Sequence, residues 1–452
     1  MSLKSLQKRR KQLAQLFDYP VILWSGKRLS RNFRANQYPF RANSHFLYFA
    51  GLPLEDAAIR LLDGKLELFI DDPHPDATLW HGEMMTRAEI ASQIGADSAY
   101  PLAHLALKTS DAATIPVQDE ITYREQCRLL ERNLAAETLE GKDLELAKAI
   151  VTLRLCHDGD ALNELKQAAA VTVEAHQTGI KATSNATTES QVRAAMEAVI
   201  ISHNMNCAYN SIVTIEGEVL HHDRYNNSLQ PGDLILADVG AETASGWAAD
   251  VTRTWAVSGK FSPTQRDIYD IVLEAHDRCI AKIRPGVEYQ EIHLLAATTI
   301  ARGLVDLGIL NGDPVDLVAR DAHALFFPHG IGHLLGLDVH DMEDLGDLAG
   351  YETERSRSDR FGLAYLRLDR KLRSQMVVTI EPGFYQVRGI LDRAEFRQKY
   401  QQVVNWERLA QFSDVRGIRI EDDVLITDNG TEVLTNRLPN TINELENLMQ
   451  SS

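Results

Sequence analysis

Five side chains of types that bind divalent metal ions occur in short apolar or glycine-bearing segments of the second half of this chain. The segments read ILADVG, AADVTRTW, HGIGHLLGLDVH, VVTIEPGFY and GIRIEDDVLIT. The candidate ligands are Asp238, Asp250, His333, Glu381 and Glu421. Carboxylates with one imidazole suit hard divalent cations, and two such cations can turn water into hydroxide near neutral pH and stabilise a hydrolytic transition state. The residues therefore predict a dinuclear metallohydrolase.

The two aspartates flank a segment with hairpin character. Asp238 ends the aliphatic run LILAD, Asp250 begins DVTRTWAV, and GAETASGW lies between them. An isolated aspartate commonly caps a strand or a turn, but a carboxylate among apolar residues is costly to bury without a cation or hydrogen-bond donors. We therefore expect the two side chains to meet across neighbouring strands.

Three histidines share one glycine-rich apolar stretch, HGIGHLLGLDVH, and they are His329, His333 and His340. One would bind metal, while the others could hydrogen-bond a substrate carbonyl or a tetrahedral oxyanion. His221, in EVLHHDRYN, is a fourth candidate, although the adjacent His222 leaves that assignment open. The HGIGH segment lacks the glutamate of an HExxH zinc helix, and its glycines argue against a helix.

Two glutamates complete the set of candidate ligands. Pro-Gly follows Glu381 and predicts a turn that leaves this carboxylate at a strand end. Glu421 follows the alternating GIRI, with a solvated acidic turn as the alternative for the run EDD. Arg419 lies two residues earlier on the same predicted strand face, so its guanidinium could orient Glu421 or meet a substrate carboxylate.

Composition excludes several other classes of protein. A chain of 452 residues predicts two or three domains, and the net charge of −17 argues against binding to nucleic acid. No stretch approaches the apolar length of a membrane span, so no membrane partner is expected. The basic start MSLKSLQKRRKQLAQLF predicts an amphipathic helix rather than a signal peptide. The four scattered cysteines favour reduced thiols in a cytoplasmic protein.

The order of predicted elements divides the chain into two domains, residues 1–157 and 158–452. The first alternates strand-like runs (VILWS, FLYFAGL, AAIRLLDG, LELFID) before a helical stretch near Tyr123–Ala149. Asp160 is the expected N-cap of the helix that opens the second domain. Further helices are predicted at Glu189–His203, Pro263–Ile283 and Tyr289–Leu307. Helices mixed with short strands predict an α+β fold whose antiparallel sheet holds the site.

The motifs together resemble one family along essentially the whole chain. They are YPFRANSHFLYFAGL, TLWHGE, YNSIVTIEGEVLHH, GDLILADVGAE, ADVTRTWAVSGKFSPTQRDIYDIVLEAH, FFPHGIGHLLGLDVHD, VVTIEPGFY and RGIRIEDDVLIT. The chain resembles the pita-bread metallopeptidases, and among them aminopeptidase P (Xaa-Pro aminopeptidase) and its sister prolidase. The resemblance implies a creatinase-like mixed α/β amino-terminal domain followed by a pita-bread catalytic domain.

The resemblance also implies a role for each candidate residue. Asp238 and Asp250 would chelate one metal with Asp250 bridging, and His333 would bind the other. Glu381 and Glu421 would complete the shell, with Glu381 also carrying the proton of the nucleophile. The residues implied to bind substrate or stabilise the oxyanion are His221, His329, His340, Arg419 and Tyr385. The implied cofactor is a pair of divalent ions, with manganese expected and cobalt, zinc or iron as alternatives.

The implied reaction is release of the amino-terminal residue from peptides with proline in second position, by a homodimer or homotetramer. An Arg-rich stretch before Glu381 and an insertion over residues 387–417 are longer than in short bacterial aminopeptidases P and are similar to those of prolidases, with a solvated or subunit-contact loop as the alternative interpretation. Xaa-Pro dipeptidase is therefore the main alternative. Creatinase, which works without metal, and a non-catalytic relative are remote alternatives because all five ligands are present.

Overall fold

The computed structural model describes residues 1–134 and 138–450. The chain divides into two compact units, one comprising Met1–Ala161 and the other beginning at Leu162. The boundary predicted from the sequence lies a few residues earlier, and the assignment of domains 1–157 and 158–452 stays a prediction.

The first unit contains a four-stranded sheet with helices. Its strands, in spatial order, are Val21–Trp24, Ala58–Leu62, Lys65–Phe69 and Ser98–Tyr100, the last pair parallel and the others antiparallel. A separate two-stranded ribbon pairs Ser30–Phe33 with Asn36–Gln37. The helices are Leu3–Leu16, Ser44–Ala50, Ala77–His81, Arg87–Ile94, Glu120–Leu129 and Gly141–Arg154, with a 3-10 turn at Leu102–Leu107. Ile22, Trp24, Ala58 and Phe69 pack in the core of this sheet.

The run FLYFAGL, predicted as a strand, belongs instead to the helix Ser44–Ala50. The side chain of Asn43 accepts hydrogen bonds from the backbone N–H groups of His45 and Phe46, which caps the amino-terminal end. Gly51, with φ of 71°, ends the helix in the left-handed conformation. Every residue of the helix is buried, so its continuous apolar run resembled a buried strand.

Two helix predictions near the end of this unit need correction. The stretch predicted near Tyr123–Ala149 is two helices separated by a connection, and residues 135–137 lie outside the described part of the chain. Asp160 lies within the first turn of the helix Gly159–Ala182 rather than at its cap. Asp158 takes the capping role, because its Oδ1 accepts from the Ala161 N–H over 2.9 Å.

The second unit combines small antiparallel sheets with long helices. One three-stranded sheet has the order Thr252–Ala256, Leu234–Asp238, Ile212–Thr214, and another has the order Val377–Ile380, Asp422–Ile426, Thr431–Val433. Two-stranded pairs join Gly383–Tyr385 to Gly417–Arg419 and Asn206–Cys207 to Ala241–Glu242. The predicted α+β fold with antiparallel sheets is confirmed.

The sequence predicted three helices of the second unit nearly to the residue, and the structure gives them as Glu189–Ser202, Pro263–Lys282 and Tyr289–Asp306. The other helices that follow Gly159–Ala182 are Pro314–Ala319, Asp347–Gly350, Arg388–Leu391, Ala394–Lys399, Trp406–Ala410 and Ile442–Gln450. Short 3-10 turns occur at Thr183–Asn185, Ala322–Leu325 and Glu343–Leu345. Ser262 and Gln265 form a reciprocal capping box with Pro263 in the first turn, which explains why the helix from Pro263 begins where it does.

Two helices in this unit approach each other closely. The helices Pro263–Lys282 and Tyr289–Asp306 pack side by side, and a Cβ added to Gly303 would lie 2.4 Å from Cγ1 of Ile271. Glycine is therefore required at this contact. In the described residues, no helix combines the length and the apolar composition needed to cross a bilayer.

Candidate metal centre and substrate cavity

The two predicted aspartates approach each other because of strand pairing. The strand Leu234–Asp238 pairs antiparallel with Thr252–Ala256, so Asp238 lies opposite Thr252, and Asp250 lies two residues before Thr252. The hydroxyl of Tyr209 lies 2.6 Å from Oδ1 of Asp238 and 2.5 Å from Oδ1 of Asp250. One phenolic group therefore links both carboxylates.

The remaining candidate ligands lie beside this pair. His333 Nε2 is 3.2 Å from Oδ2 of Asp250 and 3.8 Å from Oε1 of Glu381. Three groups each place one ligand atom per residue within 4.8 Å of one another. They are Asp250/His333/His340, His333/Glu381/Glu421 and Asp238/Asp250/Glu421. All five predicted ligands thus belong to one cluster.

Burial of this cluster shifts the pKa values of its carboxyl groups. Burial raises the pKa of Asp238 to about 6 and that of Glu381 to about 7. Nearby carboxylates add to both shifts, whereas the charge of Arg419, and for Glu381 also that of His333, opposes them. Burial, together with Asp250 and Glu381, raises the pKa of Glu421 well above its usual value. The pKa of Asp250 is lowered, because the bonds from His333 and Tyr209 outweigh burial.

These residues fit a pair of divalent cations. Four carboxylates, of which Asp250 and Glu421 are buried and Asp238 and Glu381 half-buried, cannot all remain ionised at short range without compensating positive charge. Four carboxylates together with one imidazole, which binds a metal through its neutral form, make a donor set that hard divalent ions prefer. The chemistry of the cluster therefore agrees with the cofactor expected from the sequence.

Arg419 bonds to a different carboxylate from the one that the sequence suggested. Its Nη2 donates to Oδ2 of Asp238 over 2.6 Å, and its Nε donates to the hydroxyl of Thr252 over 2.9 Å. Its Nη1 donates to the hydroxyl of Tyr385 over 3.1 Å. The strand ends at Arg419, so the alternation that would align this residue with Glu421 does not continue.

The cluster opens on a cavity of about 540 Å³. Of the predicted site residues, those that line it are His221, Asp238, Asp250, His329, His333, His340, Glu381, Arg419 and Glu421. Tyr385 is fully buried behind the wall, where its hydroxyl lies 2.8 Å from Nε2 of His329. A separate cavity of about 650 Å³, next to His276 and Asn440, contains none of the predicted ligands.

The three further histidines all reach this cavity and are favoured in the neutral form. Burial is the main reason that the pKa falls to about 3 for His329 and to about 2 for His340, and it also lowers the pKa of His221. Of the adjacent pair, His221 lines the cavity, whereas His222 pairs with Glu216 over 2.9 Å. A neutral imidazole can offer either a donor or an acceptor nitrogen to a substrate.

The Arg-rich stretch and the insertion both contribute to the cavity wall. Arg357, Tyr365 and Arg367 come from the first, and Val387 and Ile390 come from the second. These segments are therefore placed where they can contact a substrate.

The structure adds three residues that sequence reasoning did not select. Tyr209 bridges the aspartates, and Thr252 donates its hydroxyl to Oε2 of Glu421 over 2.7 Å. Asp423 is fully buried and accepts from the Asp250 N–H at 3.2 Å, so the alternative of a solvated acidic turn after Glu421 is wrong. Strand pairing brings Thr252 and Asp423 to the cluster, and Tyr209 follows the short strand Asn206–Cys207. The sequence contains no local signal for this arrangement.

Comparisons with known proteins agree with this geometry. Residues 163–428 match the sequence model of metallopeptidase family M24, and residues 6–115 match that of the aminopeptidase P amino-terminal domain. A probable Xaa-Pro aminopeptidase of Talaromyces stipitatus is 32% identical over 442 residues, covering 92% of this chain and 89% of the relative. One of Phaeosphaeria nodorum is 32% identical over 429 residues, covering 91% and 88%.

Solved structures give the same result. Aminopeptidase P from E. coli, solved with the inhibitor Pro-Leu, superposes with a TM-score of 0.82 at 27% identity, covering 100% of this chain and 99% of that one. Pseudomonas aeruginosa aminopeptidase PepP gives a TM-score of 0.82 at 28% identity, covering 100% and 98%. The expected order of an aminopeptidase P-type amino-terminal domain and a pita-bread catalytic domain is thereby confirmed. The chain belongs to metallopeptidase family M24.

Proposed function

We propose that this metallo-aminopeptidase releases the amino-terminal residue from peptides that have proline in second position. The observation that carries the proposal is a cluster of four carboxylates and a histidine that opens on a cavity lined by three further histidines. Relatives that are about a third identical over nearly the whole chain are described as probable Xaa-Pro aminopeptidases, which supports the same substrate.

The residues proposed to hold two divalent ions are Asp238, Asp250, His333, Glu381 and Glu421. Manganese is the expected ion, with cobalt, zinc or iron as alternatives. When bound, such ions lower the pKa of water and withdraw electron density from a substrate carbonyl. Tyr209, Thr252 and Arg419 hold the carboxylates in place through the hydrogen bonds described above.

Glu381 is the proposed proton carrier. Its carboxylate faces the cavity, with Oε2 3.6 Å from Nδ1 of His329. From this position it can accept the proton of the attacking water and deliver it to the proline nitrogen that leaves. Because the same group performs both transfers, it must lie within reach of both the nucleophile and the leaving nitrogen.

The histidines and Arg419 are proposed to bind the substrate. His221, His329 and His340 line the cavity and can hydrogen-bond the carbonyl or the oxyanion that forms from it. Tyr385 acts from behind the wall, since its hydroxyl connects Arg419 to His329 and fixes both side chains. The substrate amino group would lie near the acidic cluster, which limits release to a single residue.

A specific observation favours Xaa-Pro dipeptidase as the second candidate. Arg357 and Arg367 both line the cavity, and an arginine there can hold the terminal carboxylate of a dipeptide. The proposal further assigns residues 1–157 to the amino-terminal domain and 158–452 to the catalytic domain, in a cytoplasmic homodimer or homotetramer. Light scattering of the purified protein tests the oligomeric state.

Hydrolysis of Gly-Pro compared with Gly-Pro-Pro by the manganese-loaded protein tests the proposal, with a chelator-treated control. Release of glycine from the longer peptide identifies a Xaa-Pro aminopeptidase, whereas cleavage confined to the dipeptide identifies the dipeptidase. Absence of turnover in a protein shown to contain metal would support a non-catalytic relative and contradict the proposal. Activity on creatine without metal would favour the creatinase alternative.

A further inference from the structure

Glu343 contacts two side chains of the cavity at once. Its Oε2 lies 2.5 Å from Nδ1 of His340, and its Oε1 forms an ion pair with the guanidinium of Arg367. The exposed fractions of the side chains are 47% for Glu343, 32% for His340 and 34% for Arg367. His340 and Arg367 line the substrate cavity, and Glu343 lines a small adjacent cavity together with both of them. Glu343 therefore connects a candidate substrate-binding histidine to the arginine that is positioned to bind a carboxylate.

The local backbone holds Glu343 in this position. The preceding residue, Met342, is fully buried and adopts the left-handed conformation with φ of 61°. This conformation is unfavourable for a residue with a side chain and persists only where surrounding contacts impose it. It turns the chain so that the 3-10 turn Glu343–Leu345 begins beside His340, with the Glu343 N–H donating to the His340 carbonyl over 3.2 Å.

The contact with His340 orients the imidazole. Because a carboxylate accepts at Nδ1, this nitrogen carries a proton, and Nε2 remains to interact with a ligand. The contact with Arg367 has a different consequence. Arg367 lines the cavity that holds Glu381 and Asp250, yet its charge is already compensated by Glu343.

We propose that Glu343 is a specificity-determining residue that disfavours substrates ending in a free carboxylate at the proline and thereby favours longer peptides. The inference rests on the proposed function of the site. It assigns to Glu343 the choice between the two candidate activities, because Arg367 is the group that a dipeptide carboxylate would seek.

The physical basis is competition between like charges. A dipeptide carboxylate that binds Arg367 must displace Glu343 or share the guanidinium with it, which places two carboxylates side by side. A longer peptide presents a neutral amide at the same point and leaves the ion pair intact. Discrimination of this kind uses a repulsive element against the wrong ligand as well as attraction for the right one.

Gly-Pro and Gly-Pro-amide form the matched pair of substrates, since they have the same length and differ only in the terminal charge. In the Glu343→Gln variant, the ratio of kcat/KM for Gly-Pro to kcat/KM for Gly-Pro-amide should rise by about fivefold. This factor corresponds to the upper end of the interaction energies of exposed ion pairs. The glutamine oxygen can still accept from His340, so activity on the amide should persist. An unchanged ratio would overturn the inference.

Glu274→Gln is the matched control. Glu274 pairs with Arg278 over 3.0 Å on the helix Pro263–Lys282, its side chain is 53% exposed, and neither residue lines the cavity. This variant removes the same charge by the same substitution outside the cavity and should leave the ratio as in the original chain. An equal rise in both variants would show a general charge effect and would contradict the assignment to Glu343.

Binding separates this inference from the proposed function. Calorimetric dissociation constants for the two ligands are compared in the metal-loaded Glu381→Gln and Glu381→Gln/Glu343→Gln proteins, where turnover plays no part. The ratio of the dissociation constant for Gly-Pro to that for Gly-Pro-amide should be lower in the Glu381→Gln/Glu343→Gln protein than in the Glu381→Gln protein. If the original chain hydrolyses neither ligand but this shift is found, the proposed function fails and the role of Glu343 stands. If hydrolysis is found without the shift, the role of Glu343 fails.

Discussion

The hydroxyl of Thr252 donates a hydrogen bond to Oε2 of Glu421 over 2.7 Å, and the Thr252 carbonyl accepts from the Glu421 N–H over 3.0 Å. The same hydroxyl oxygen accepts from Nε of Arg419. One buried hydroxyl therefore acts as both donor and acceptor, and it connects Thr252 to Arg419 and Glu421, which are far from it in the sequence. Thr252 orients the carboxylate of Glu421. The sequence identified Glu421 as a candidate ligand but did not identify Thr252 as its partner.

Replacing Thr252 by valine should weaken metal binding by about tenfold, the lower end of the effect of removing a partner that orients a metal ligand. Valine keeps the shape of threonine but leaves the Glu421 carboxylate free to rotate. Calorimetric titration with manganese measures the change. Thr254→Val is the control, because Thr254 is also buried but its hydroxyl bonds only to the backbone of Arg419. Equal affinities in the two variants would contradict this role for Thr252.

Replacing Tyr209 by phenylalanine should destabilise the metal-free protein by about 1–3 kcal/mol, the cost of removing a donor from buried charged acceptors. Its hydroxyl is the group placed between Asp238 and Asp250. With metal bound, cations compensate the same carboxylates, so the loss should be smaller. Urea unfolding with and without manganese measures both values.

Tyr225→Phe provides the control for that experiment. The Tyr225 hydroxyl donates to the Ser211 carbonyl over 2.6 Å and does not contact the cluster. Its removal should cost the same free energy of unfolding with and without metal. A loss that is independent of metal in Tyr209→Phe as well would show that its hydroxyl has an ordinary structural role.

Replacing Glu381 by glutamine should lower kcat by at least about a hundredfold, the usual contribution of a positioned acid–base group. The amide keeps the size of the side chain but cannot accept and return a proton. Steady-state kinetics on a Xaa-Pro peptide, with metal content measured in the same sample, separates this effect from loss of metal. Near-normal turnover in a metal-loaded variant would exclude Glu381 as the proton carrier.

Residue type alone was enough to select the candidate metal ligands, whose role stays a prediction. Asp238, Asp250, His333, Glu381 and Glu421 could be selected because carboxylates and imidazoles among apolar residues need a physical reason to be there. The long helices could also be predicted, since capping residues and apolar spacing act locally, as at Ser262.

Features that depend on register or tertiary contacts could not be predicted in this way. Tyr209 is an ordinary aromatic in CAYNSIV until strand pairing brings Asp238 and Asp250 together beside it. The helix Ser44–Ala50 was predicted as a strand, because a fully buried helix has no polar face to reveal its period. Arg419 has several possible carboxylate partners in sequence, and only the end of its strand decides in favour of Asp238.

The raised pKa values in the cluster imply that metal removal and pH act together on stability. In the metal-free fold, the pKa values of Asp238 and Glu381 are about 6 and about 7, against ordinary values of 3.8 and 4.5. As pH rises through this window, the unfolded chain has already released protons that the folded chain still holds. Deprotonation then leaves buried, repelling carboxylates, so this contribution to stability is present at low pH and is lost as pH rises.

The difference in Tm between manganese-loaded and metal-free protein should therefore widen from pH 5 to pH 8. The difference in Tm is measured, rather than either Tm alone, because other groups also respond to pH. Buried neutral histidines outside the cluster, such as His176 and His293 with pKa values of about 4, make both forms more stable as pH rises through the same range. Their contribution cancels between the two forms, whereas that of Asp238 and Glu381 does not, because bound cations hold these carboxylates ionised. Differential scanning fluorimetry at constant ionic strength measures the gap. A gap that stayed constant over this range would mean that the carboxylates of the metal-free cluster are already ionised at pH 5.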